Sequence, residues 1–201
     1  AQGGLPGWVH WVEGNLAYAL LLHGDIVRGV RLLAPLTEAL QRTGALPQPP
    51  LNIELLAVVP GALWCLGYPD QALQVGQMAL ELVQREENRI QIGIDVLMIC
   101  NAISLPSQLR GDVEGVEEAL QMLRSLTEEQ RCPPFWLPVI ESCQGWVHAQ
   151  RGLLEQGIAE MRQGLADTNR STTIRAPCRK GWIAEACARA GRVEEGLALV
   201  S

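Results

Sequence analysis

Apolar residues recur along this chain at helical spacing, interrupted at regular distances by glycine. After Gly67, the residues Ala72, Leu73, Val75, Met78, Ala79, Leu82 and Val83 fall at i, i+3/i+4 and i+7. After Gly111, Val116, Leu120, Leu123 and Leu126 repeat that pattern, and before Gly191, Trp182, Ile183, Ala186, Cys187 and Ala190 line one face. No segment carries a sustained period of two. The β-branched run Ile90 to Ile94 is the one strand candidate, and its place before a helical pattern makes it the start of a helix. Loops are expected where proline clusters, at 44–50, 131–134 and 168–177.

The punctuating glycines stand at 24, 67, 111, 152 and 191, at intervals of 43, 44, 41 and 39 residues. Five residues after each comes Gly29, Ala72, Val116, Gly157 or Gly196, small in four of the five. The next residue is Val30, Leu73, Glu117, Ile158 or Leu197. This is the pattern of a repeated helix–turn–helix. The glycine takes a left-handed conformation that ends the first helix. A small residue then lets the second helix cross the first closely. Asp25 and Asp112 are placed to cap the second helix, and Pro69-Asp70 suits a first turn. First helices are expected near 8–23, 51–66, 93–110, 135–151 and 177–190, and second helices near 26–43, 69–88, 113–130, 153–167 and 193–201. Stacked hairpins bury each other's faces, so the expected architecture is a single all-α domain over 1–201. It is a right-handed α-solenoid of about five hairpins with a repeat near 40 residues.

The segment Leu63-Trp-Cys-Leu-Gly-Tyr-Pro-Asp-Gln-Ala-Leu73 resembles the tetratricopeptide repeat in its Leu-Gly, aromatic and small-residue positions. The other repeats keep the glycine and the small position but lose the aromatic. The spacing near 40 rather than about 34 points to a longer-helix variant. With Phe135-Trp136-Leu137, Gly145-Trp146 and Glu194-Glu195-Gly196-Leu197-Ala198-Leu199, the run from Leu63 onward resembles the repeat region of large bacterial signalling ATPases. Those proteins include cyclase-linked regulators and ATP-dependent transcription activators, and the likeness covers most of the chain from about residue 16. It implies a regulatory sensor or scaffold region accompanying a nucleotide-binding module. The module's own GxxxxGK[ST] motif does not occur, and the only lysine, Lys180, precedes Gly181. The chain starts without Met and stops at Ser201 inside an amphipathic pattern. It is therefore expected to be a fragment whose uncapped last hairpin could pair with a second copy.

Composition narrows the function classes. Of 201 residues, 48% are AVILMFWYC, glycine adds 20 residues, and only 19% are charged. That is more apolar than an average soluble domain, which excludes a disordered chain. No uncharged stretch is long enough to span a bilayer, and no basic segment leads into an apolar one, so no signal peptide is expected. A net charge of −6 argues against nucleic acid as the partner. Fifteen arginines are scattered along the chain, forming no patch. The six cysteines, at 65, 100, 132, 143, 178 and 187, form no CxxC pair. They sit in apolar helical patterns and are expected to be buried reduced thiols, which points to the cytoplasm.

Candidate chemistry is sparse. His10 and Glu13 stand at i, i+3, with no second pair to complete a metal set. His148 follows Cys143 by five residues, which does not share a helical face, and His23 precedes a helix-ending glycine, where a cation is favourable. The carboxylates at 114/117/118, 128/129, 86/87 and 194/195 fit solvated helix faces. No catalytic residue, metal or cofactor is expected. The aromatic excess is tryptophan, at 8, 11, 64, 136, 146 and 182, all on first helices or their starts. Either these indoles pack between hairpins, or some line a concave groove. The candidate groove residues are Tyr18, Trp64, Tyr68, Asn101, Trp136, Trp146 and Trp182. Aromatics anchor a bound chain at little entropic cost. The expected function is thus a non-enzymatic interaction domain binding a protein or peptide segment, which could belong to another domain of the parent chain. A small-molecule effector held in the groove is the alternative.

Overall fold

Ending a helix leaves its last carbonyls without partners, and a residue with positive φ lets the chain fold back to satisfy them. The computed structural model describes residues 12, 13, 16, 17, 19–21, 23–43, 59–61, 63, 64, 66–84, 99–129, 132–168 and 176–201. Within it, Gly24, Gly67, Gly111, Gly152 and Gly191 all have φ between 70° and 89°. At four of them the same two bonds form. The glycine N–H donates to the carbonyl three residues back, as in Gly24 to Leu21 and Gly152 to Ala149. The next N–H reaches five back, in Asp25 to Leu20, Tyr68 to Leu63, Leu153 to His148 and Arg192 to Cys187. The expected left-handed conformation is present at all five glycines, and the helix-closing bonds at four.

Every regular element among the described residues is helical, and none is a strand. We number them α1 (Ile26–Thr43), α2 (Pro69–Gln84), α3 (Leu105–Arg110, preceded by a π-helical turn Ile99–Ser104), α4 (Val113–Glu128), α5 (Leu137–Gln150, preceded by a 3-10 turn Pro134–Trp136), α6 (Leu154–Thr168), α7 (Ala176–Arg189) and α8 (Val193–Val200). Residues 19–21 and 59–61 are also helical. The strand candidate at 90–94 and the loop at 44–50 lie outside the described residues. Asp112 accepts from Gly115 N–H at 3.0 Å and Asp25 from Arg28 N–H at 3.4 Å, so both aspartates cap as expected. The wide π turn precedes Pro106, which cannot donate a backbone bond to Ala102.

The chain divides into two compact units, 1–110 and 111–201. In the first, α2 packs on α1, on the π turn and on α3. Its core includes Ala17, Leu33, Val59, Ala72, Val75 and Cys100. In the second, α5 packs on α4, α6 and α7, α6 on α7, and α7 on α8. Its core is built from Val116, Leu120 and Leu123 of α4, Val139, Trp146 and Val147 of α5, Ile158 and Met161 of α6, and Ile183 and Cys187 of α7. These are largely the positions the 3.6-residue period selects.

The small residue after each turn has a steric cause. A Cβ on Gly157 would lie 2.4 Å from the Gly145 carbonyl oxygen and 2.7 Å from Ala149 N; one on Gly145 would lie 2.8 Å from Gly157 O and Met161 N. The backbones of α5 and α6 therefore touch. Gly196 meets Ala184 O in the same way, at 2.8 Å, whereas Gly29 meets the Leu21 side chain at 2.6 Å and Ala17 O at 3.1 Å. Substituting Gly157→Ala is expected to cost about 2 kcal/mol through overpacking against rigid backbone. Gly181→Ala, exposed on α7 with nothing within 4 Å of the added Cβ, should stabilise by about 0.5–1 kcal/mol. Urea denaturation of the two variants checks both signs.

Candidate interaction surfaces

In the first unit, α1, the helical residues around 59–63, and α2 leave a half-open cleft of about 550 Å³. Leu33, Val59, Leu63 and Val75 form its floor, all buried. Its rim is polar, with Glu38 on α1, Gln71 and Gln74 on α2, and Tyr68 at the turn. Tyr68 is placed by the Gly67 turn, where its N–H is tied to Leu63 O at 2.9 Å, and its side chain is exposed. An apolar floor with amide, carboxylate and phenol groups at the edge can take an apolar side chain and pair the polar groups beside it.

The second unit has polar bridges between successive hairpins. Arg151, in the α5–α6 turn, makes a two-point contact to Glu117 on α4 at 2.9 and 2.6 Å, with Glu114 at 3.9 Å. The Glu117 hydrogen bond and charge raise the Arg151 guanidinium above its ordinary value. Arg192, in the α7–α8 turn, reaches Glu155 on α6 at 2.8 Å and Glu195 at 2.6 Å, and Arg162 of α6 also binds Glu195. Hydrogen bonds from Arg162 and then Arg192 hold the Glu195 carboxyl below the ordinary carboxylate range. A third bridge runs from Arg124 on α4 to Gln144 on α5, whose Nε2 lies 3.2 Å from His148 Nε2. The other ring nitrogen of His148 is 2.6 Å from Glu160 on α6. A shallow depression of about 480 Å³ along α6 is bounded by Arg162 and Arg192.

The candidate groove residues belong to both units, Tyr18, Trp64, Tyr68 and Asn101 to the first and Trp136, Trp146 and Trp182 to the second. Tyr68 rims the cleft, and Trp64 is half-buried nearby in sequence but does not line it. Trp146 is 2% exposed and belongs to the core of the second unit. Trp136 is half-buried with its ring 5.4 Å from Phe135, and Trp182 is half-buried on α7. Tyr18 and the side chain of Asn101 lie outside the description, as do Trp8, Trp11 and His10. Cys100, Cys143 and Cys187 are buried, Cys132 is half-buried and Cys178 is exposed; none of the five is in a disulfide. No described helix is long and apolar enough to cross a membrane, and no three described His, Cys, Asp or Glu residues cluster as metal ligands.

No protein-family model matches the chain, and a search of curated proteins finds no match.

The arginine–glutamate bridges depart from the expectation that the 114/117/118 and 194/195 carboxylates lie on solvated helix faces. Glu114, Glu118 and Glu194 are indeed exposed, whereas Glu117 and Glu195 are held by arginines from a neighbouring hairpin. The signal was there in register. Arginine adjoins the helix-ending glycine at 110, 151 and 192, and glutamate follows that glycine by three at 114, 155 and 194.

Because Glu195 titrates below its unfolded value, its ion pairs support the fold above the ordinary glutamate range, about 4.3, and that support is lost as pH falls through the depressed value. Glu195→Gln should therefore lower the thermal midpoint at neutral pH, and the gap from the parent should close on acidification.

Proposed function

We propose that this chain is a non-enzymatic interaction domain, a tetratricopeptide-like right-handed α-solenoid that works in the cytoplasm as the regulatory repeat region of a bacterial signalling ATPase. Its ligand is a protein or peptide segment, which can come from another domain of the parent chain. The recurring glycine turns and the packing of α4 through α8 on successive neighbours support the repeat architecture. The observation that carries the binding role is the Tyr68 cleft. A single apolar side chain fits its floor of Leu33, Leu63 and Val75, while Gln71 and Gln74 offer amide donors and acceptors to an extended backbone. Glu38 adds a negative rim suited to a basic neighbour of that anchor.

Selection of phage-displayed peptides on the full chain tests this. It should enrich segments pairing a large apolar residue with a nearby Arg or Lys. Tyr68→Ala and Gln74→Ala should weaken their binding about tenfold or more, equivalent to about 1.4 kcal/mol. Glu118→Ala, exposed on α4, should leave binding unchanged. No enrichment, or enriched peptides insensitive to the cleft variants, would overturn the reading. The cleft volume also lies within the range of small-molecule sites, about 300–1,000 Å³, so a bound effector is the second reading. Ligand-induced thermal stabilisation abolished by the same variants, with no peptide enriched, would select it.

A further inference from the structure

The last two second helices stand in the same register thirty-nine residues apart, with Gly152 matching Gly191. Leu154, Ile158 and Met161 on α6 correspond to Val193, Leu197 and Val200 on α8, so apolar character is kept at all three positions. Their surroundings differ, with Leu154 half-buried on α6. Ile158 and Met161 are 2% and 1% exposed, whereas Val193, Leu197 and Val200 are 51%, 55% and 56% exposed. The two helices differ in what packs on them. α6 lies against both α5 and α7, and α8 lies against α7.

The charges repeat in the same register. Glu114 on α4 faces Arg151 of the following turn, and Glu155 on α6 faces Arg192 of the turn after that. The third member, Glu194 on α8, is exposed beside the open apolar stripe.

We infer that the open face of α8 is a docking surface for an amphipathic helical hairpin carrying an arginine in its turn. The hairpin seats in the register in which α7 and the Arg192 turn cover α6. Its first helix covers Val193, Leu197 and Val200, and its turn arginine pairs with Glu194. Two features already in the molecule specify this occupant: the buried interface on α6, which the stripe continues, and the Glu–Arg pairing, which Glu194 continues. A second copy pairing α8 against α8 would leave Glu194 without a cation, because α8 itself carries none. The surface lies in the second unit, so the inference stands apart from the Tyr68 cleft.

A chain in which residues 163–201 are repeated after Ser201 tests it. Ser201 follows Gly191 by ten residues, as Arg162 follows Gly152, so the added segment begins in register. The repeated α7 segment should gain hydrogen-exchange protection, and the thermal midpoint should rise above that of the parent. In the extended chain Leu197→Asp should abolish that protection. In the unextended chain the same change should leave the midpoint nearly unaltered, because Leu197 is already open to solvent. Glu194→Arg should weaken protection, and reversing the repeated copy of the Arg192 position to Glu should restore it. Exchange of the added segment at the rate of an unstructured peptide would overturn the proposal. So would a dimer of the unextended chain that Leu197→Asp dissociates, which would make the occupant a second copy.

Discussion

Backbone contact between paired helices is the constraint on which this molecule depends. At Gly145 and Gly157 the main chains of α5 and α6 approach so closely that neither residue can carry a Cβ without displacing a carbonyl or an amide. Trp146 and Val147 on α5 and Ile158 and Met161 on α6 are all removed from water, and burial on that scale supplies most of what holds a helix pair together. The glycine turn between them makes the crossing repeatable, because its two reverse hydrogen bonds fix how the second helix leaves the first.

Once the hairpins are set, polar groups join them. Arg151 and Arg192 occupy turns, where a long side chain can swing toward the preceding second helix, and each finds a carboxylate there. Solvent-exposed pairs of this kind contribute little singly. Their value is in register, since a hairpin shifted by one residue would place arginine opposite a different side chain. The His148 group acts likewise at the α5–α6 seam, binding Gln144 and Glu160 on the two helices that meet there. Among the described residues no buried side-chain polar atom is left without a partner.

The first unit uses its interior differently. Leu33, Val59 and Val75 are buried at the bottom of a cleft whose edge carries Tyr68, Gln71 and Gln74. A surface of that form is suited to recognition, because an occupant gains apolar burial on the floor and direction from the rim. α8 in the second unit presents the opposite form, an apolar stripe without a wall.

The sequence by itself determined the helical class, the turns and most helix limits. A 3.6-residue apolar period and a left-handed glycine are local properties, written into consecutive residues. The period carries α1 through Pro35 and places α4, α5, α6 and α7 within about two residues of their observed ends. Only the tertiary structure decided which apolar residues are core and which are surface. Trp146 and Tyr68 look alike as aromatics on a repeat, but one is buried in the core of its unit and the other stands exposed at a turn on the rim of a cleft. Glu117 and Glu118 adjoin in sequence, yet one meets Arg151 from thirty-four residues away and the other faces water. Such distinctions depend on which helix lies alongside, a relation between distant residues that no local pattern encodes.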